Sequence, residues 1–110
     1  MRSIAGCDGA VLDFCSLLVE RYRPLRITLF GSHAAGTARN DSDVDLLVEM
    51  EHVDSGLTVA ADILKETEPR FDVDILVRTP QQVKARRQMG DPFITEIIKS
   101  GRVVYEATDR

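Results

Sequence analysis

Residues 31 to 48 read Gly31-Ser32-His33-Ala34-Ala35-Gly36-Thr37-Ala38-Arg39-Asn40-Asp41-Ser42-Asp43-Val44-Asp45-Leu46-Leu47-Val48, and this stretch decides how the rest of the chain is organised. From Asp43 onward the residues alternate. Val44, Leu46 and Val48 point one way and Asp43, Asp45 and Leu47 the other, as the two-residue period of a strand demands. The strand is predicted over Asp43 to Met50. Before it, His33-Ala34-Ala35 can form one helical turn, and the small polar run that follows, with its Asn40-Asp41 pair, reads as a loop. Gly31-Ser32 breaks the segment that precedes it.

Working outward, Val11, Leu12, Cys15, Leu18, Val19 and Tyr22 recur at three- and four-residue intervals, with Asp13, Ser16 and Glu20 between them. That spacing predicts an amphipathic helix over 11–22. Pro24 stops it, because the residue before a proline is pushed out of helical geometry, and Arg26 to Phe30 reads as a short buried strand. Downstream, Gly56 to Glu68 places Leu57, Val59, Ala60, Ile63 and Leu64 on one helical stripe, ended by Pro69. Phe71 to Val77 alternates again, with Val73, Ile75 and Val77 opposite Asp72, Asp74 and Leu76. Thr79-Pro80-Gln81-Gln82 forms a capping box for a further helix, and Asp91-Pro92 opens another that runs to Lys99 or Ser100. Gly101 is expected to end that helix in a left-handed conformation, before a last strand over Arg102 to Glu106. This order predicts an α/β (α+β) chain: a small mixed β-sheet flanked by helices.

The 110 residues fit one domain, 1–110, and leave little material for a second. Hydrophobic residues at 44% against 29% charged supply a core, mostly Leu, Ile and Val, so disorder is excluded as the description of the whole. The formal charge of −4 repels a polyanion and argues against nucleic-acid binding. Lys84, Arg86 and Arg87 read as a solvated helix face. An acidic residue, Asp8, comes before any apolar run long enough for a signal peptide, and no stretch approaches the ~20 apolar residues of a spanning helix. A cytoplasmic protein that does not engage a membrane is expected, with Cys7 and Cys15 as reduced thiols.

Carboxylates at i and i+2 on one strand project from the same face a few ångströms apart, where they repel unless solvent or a cation compensates them. Asp43 with Asp45, and Asp72 with Asp74, fit a divalent-metal site, for which Mg²⁺ and Mn²⁺ are both suited to oxygen ligands. Gly31 lets backbone approach a phosphate, N–H groups at a helix start bind phosphate oxygens, and Ser32 adds a hydroxyl. A triphosphate cradle beside a metal site is the arrangement that an in-line displacement at phosphorus needs. His33, at a helix start, and His52 read as incidental.

The run from Gly31 to Val48 resembles the Gly-Ser, ten residues, Asp-x-Asp signature of the minimal nucleotidyltransferases in the DNA polymerase beta-like superfamily. The resemblance extends from the first helix through the third strand. It implies the nucleotidyltransferase fold, and a third carboxylate at Asp74, in Val73-Asp74-Ile75, with Asp72 on the same face as the alternate. Carried over, Asp43 and Asp45 hold the metals that engage the triphosphate, Asp74 joins the metal that activates the attacking hydroxyl, and Gly31 and Ser32 hold the phosphates. Ala35 is a departure, since many relatives carry an arginine in this turn; Arg39 is the candidate to compensate. The resemblance also implies transfer of AMP from ATP to a protein hydroxyl, as by antitoxins that neutralise HEPN-domain RNase toxins. So small a chain leaves the acceptor to be another macromolecule, or its site to be completed by a second chain in a homo- or hetero-oligomer. Neutralisation by binding alone, and transfer to a small molecule such as an aminoglycoside, are the alternative readings.

Overall fold

The computed structural model describes residues 9–36, 43–52 and 55–107. Helix α1 spans Gly9–Tyr22 and buries Val11, Phe14, Cys15 and Leu18. Phe14, which the stripe omits, meets Phe71 edge to face with ring centroids 5.6 Å apart. Arg23 turns the chain with φ 49° ahead of Pro24, and β1 runs Arg26–Phe30 as expected. One helical turn, α2 (Ser32–Ala35), comes next, and β2 (Val44–Glu49) is the following described element. Next come α3 (Gly56–Thr67), β3 (Val73–Arg78), α4 (Pro80–Gln88), α5 (Pro92–Ser100) and β4 (Arg102–Glu106).

The strands form one mixed sheet in the order β3-β2-β1-β4. β1 is antiparallel to both β2 and β4, whereas β2 and β3 run parallel, joined by the crossover through α3 that a parallel pair requires. Alternation sorts the side chains to two covered faces. Ile27, Leu29, Val44, Leu46, Val48 and Val77 face the larger cluster with α1 and α3, while Leu47 faces a smaller one with Val83 of α4 and Ile94 and Ile97 of α5.

Three expectations are corrected. Leu57 does not join the stripe of α3: burial there centres on Ala60 and Ile63, which turns the first-turn Leu57 outward at 82% exposure. Asp72 precedes β3 rather than lying in it, and its carbonyl accepts the Val44 N–H at 3.0 Å. Gly101 is not left-handed; at φ −75°, ψ 169° it is extended. Glycine is required there by proximity, since a Cβ would stand 2.4 Å from the Ile97 carbonyl oxygen and 2.8 Å from Thr28 Cγ2. Both helix starts form as expected: Thr79 accepts from Gln82 N–H while Gln82 Oε1 accepts from Thr79 N–H, and Asp91 accepts from the N–H groups of Phe93 and Ile94.

Candidate active site

The site is built where β1 gives way to α2. After Phe30 the backbone turns at Gly31 with φ 75° and ψ −154°, a conformation that only glycine adopts readily. Ala35 N–H then donates to the Gly31 carbonyl at 3.1 Å, and Gly36, left-handed at φ 78°, returns its N–H to the Ser32 carbonyl. A side chain at position 31 would also collide with the neighbouring strand: its Cβ would lie 2.3 Å from Oδ2 of Asp45. The glycine therefore does two things. It sets the backbone angle and leaves the space into which the Asp45 carboxylate projects.

Asp45 is the centre of the arrangement. Its ladder neighbours are Phe30 on β1 and Asp74 on β3, so the register places Asp45 between the Gly31 corner and Asp74. Parallel neighbours sit ~4.8 Å apart, which puts the two carboxylates on one face within reach of a shared cation. Asp43, immediately before β2, and Asp74 are exposed; Asp45 is partly buried. Burial raises the Asp45 carboxyl above its ordinary range, and the charges of Asp74 and then Asp43 push it further, while His33 pulls it down. Asp74, Asp43 and His33, the last of which follows the Gly31-Ser32 turn, thus all lie near enough to act on the Asp45 carboxyl.

No Lys or Arg of the described residues forms an ion pair with Asp43, Asp45 or Asp74. Their carboxylate oxygens are the hard donors that Mg²⁺ and Mn²⁺ prefer, and their mutual repulsion is the deficit a divalent cation removes. Among the described residues, no three His, Cys, Asp or Glu side chains are already closed around one point as metal ligands. The donor set thus fits a metal by chemistry and by strand register, with side-chain rotation left to complete the coordination. Arg39, Asp41 and Ser42, expected as a compensating cation and as loop formers, lie outside the described residues, as does Cys7.

Two features have no signal in the sequence. A cleft of about 250 Å³ beside Gly31 is lined by Phe30, Ala35, Phe93 and Ile97, with Phe93 edge-on to Phe30 at 5.9 Å. Phe93 lies off the buried stripe of α5, so helical periodicity does not point to it. The second feature is a groove at the far end of the sheet, into which Lys84 and Arg87 extend. Among the described residues, Arg86 of that basic trio pairs with Asp91 at 3.7 Å.

Comparison with known proteins agrees with this fold. The nucleotidyltransferase domain family matches residues 12–105. No curated protein matches the chain. Among solved structures, a chain in a crystal structure of a toxin-antitoxin with AMP-PNP superposes with a TM-score of 0.56. The two share 18% identity over 88% of this chain and 74% of that one, a likeness of fold.

Proposed function

Because the chain belongs to the nucleotidyltransferase domain family, we propose that it transfers the nucleoside monophosphate of a nucleoside triphosphate, ATP foremost, to a hydroxyl of a partner protein. The observation that carries this reading is the register that sets Asp45 between the Gly31 corner and Asp74. Backbone N–H groups of the Gly31-Ser32 turn and the Ser32 hydroxyl donate to the phosphate oxygens. The acceptor oxygen attacks the α-phosphorus, a P–O bond forms as the bond to the leaving pyrophosphate breaks, and the hydroxyl proton passes to Asp74 on the open side of the pair. Mg²⁺ or Mn²⁺, held by Asp43, Asp45 and Asp74, supplies charge neutralisation at the phosphates when bound. Holding the reacting oxygens in line is the remaining contribution, and it belongs to the rigid strand ladder.

The acceptor we assign is a toxin, of the HEPN RNase class, for which this chain is the antitoxin. The similar solved structure is a toxin-antitoxin holding an ATP analogue, which supports both the partner and the nucleotide. No helix of the described residues is long and apolar enough to cross a membrane, and we place the pair in the cytoplasm.

The test is direct labelling. Purified chain, ATP labelled at the α-phosphate, Mg²⁺ and the neighbouring gene product should yield a labelled product. Asp43→Ala combined with Asp45→Ala should abolish labelling while circular dichroism reports a retained fold. Neutralisation that persists in that folded double variant would establish action by binding alone, and absence of labelling with every nucleoside triphosphate and either metal would overturn transfer.

A further inference from the structure

The small cleft beside the Gly31 corner is continuous with that corner, because Gly31 itself forms part of its lining. Its volume of about 250 Å³ falls below the ~300–1,000 Å³ of sites that enclose a whole small molecule, so it suits one ring of a larger ligand. Helix α5 supplies one wall. Phe93, Glu96, Ile97 and Ser100 recur at three- and four-residue spacing and so share the side of the helix that meets the end of β1. Gly101 lets that helix end sit against β1, where a Cβ would stand 3.0 Å from the Leu29 carbonyl oxygen.

Phe30 and Phe93 meet with their ring planes at 83°, as two walls of a corner. A flat aromatic ring stacked on one wall turns its edge to the other, and both are arrangements that aromatic quadrupoles favour. Phe93 is 56% exposed, an apolar area that a stacked ring would take out of water. The exposed Glu96 and Ser100 complete the lining, and the Ser100 hydroxyl donates to Glu96 Oε1 at 2.9 Å. The hydroxyl proton is thereby committed, and the pair offers acceptors to an occupant. Among the described residues no Lys or Arg lines the cleft, which leaves phosphate to the Gly31-Ser32 turn.

Two flat rings could enter here: the base of the nucleotide, or an aromatic side chain that bears the acceptor hydroxyl. Sheet order favours the first. Asp74 stands on β3, Asp45 on β2, Gly31 follows β1 and Gly101 precedes β4, so the cleft opens on the side of Gly31 turned away from Asp74, where the acceptor is received. We propose that this cleft is the base subsite, with the base stacked on Phe93 and an N–H of its edge donating to Glu96. The inference rests on the nucleotide reading of the Gly31 corner. It also selects among bases. The amino group of adenine projects clear of its ring as a donor, whereas uracil sets carbonyl oxygens beside its one N–H, against the acceptors of Glu96 and Ser100.

Calorimetric titration of the full chain with ATP, UTP and inorganic tripolyphosphate in Mg²⁺ separates the base from the phosphates. ATP should bind more tightly than either of the others. Phe93→Ala should weaken ATP about fivefold or more, the lower end for a lost base–aromatic stack, and leave tripolyphosphate unchanged. Glu96→Gln should at least halve the ratio of ATP to UTP affinity. Phe93→Trp keeps the platform and gives a chain that has no tryptophan an emission that ATP should quench and tripolyphosphate should not; it serves equally if the alanine variant does not fold. The proposal falls if ATP binds no more tightly than tripolyphosphate, if folded Phe93→Ala binds ATP as the parent does, or if ATP leaves the tryptophan emission unchanged. Unchanged ATP affinity with lost labelling in Phe93→Ala would give the cleft to the acceptor instead. Base-dependent binding without any labelling would remove transfer and leave the base subsite standing, whereas a chain that binds no nucleoside triphosphate would remove both.

Discussion

Gly31 is where backbone and site chemistry meet, and its substitution separates them least. Gly31→Ala should destabilise the chain by roughly 1–3 kcal/mol for the left-handed φ alone, with a further cost from displacing the Asp45 carboxylate. Urea denaturation measures the first effect. The second should appear as a loss of nucleotide transfer larger than the stability change explains. Asp45 itself predicts a pH dependence. Its carboxyl is raised from the ordinary 3.8, so its contribution to stability is full below that value and is lost as pH rises through the folded value. Asp45→Asn, neutral throughout, should therefore melt higher than the parent at neutral pH in EDTA. The gap should close on acidification, and Mg²⁺ should raise only the parent; a variant that melts lower at neutral pH would contradict this. Asp43 and Asp45 are legible from local alternation because they stand two residues apart at the start of β2. Gly101 is not, because a glycine after a helix carries the same letter whether handedness or a close approach by Thr28 demands it.

At the scale of elements, the ends of helices and strands are more legible than their packing. Pro24 and Gly31 bracket β1, and the Thr79–Gln82 box marks α4, since these signals act within a few residues. Thr79→Ala should cost about 0.5–2 kcal/mol in chemical denaturation, with the first turn of α4 losing amide protection ahead of the sheet. The face of α3 is less legible: its spacing admits Leu57, and only the seating of Ala60 and Ile63 excludes it. Leu57→Lys should accordingly change stability by less than about 0.5 kcal/mol. Tyr22 ties the end of α1 to α3 by donating its hydroxyl to Glu66, and burial together with that carboxylate holds its pKa up to about 12. The link joins residues far apart in sequence, and no local pattern announces it.

For the whole molecule, the two-sided burial of the sheet is the feature that alternation alone does not reveal. Alternation groups Leu47 with Asp43 and Asp45 on a polar face, yet it is fully buried, because α4 and α5 cover the middle of that face. Leu47→Ala should cost ~2–5 kcal/mol and loosen both helices together, as seen by hydrogen exchange. The strand order and the far groove lie beyond the sequence, because pairing and groove lining join segments brought together only by folding.

The parallel pairing of β2 and β3 separates two kinds of distance. How many residues lie between Asp45 and Asp74 along the chain is set by α3 and its flanking turns, whereas how near their carboxylates stand is set by backbone bonds across the ladder. A longer turn at Pro69-Arg70 would lengthen the first and leave the second alone, but a one-residue slip of β3 would send Asp74 to the opposite face. The first two acidic groups are thus recognisable by counting, and the third only by the company its strand keeps.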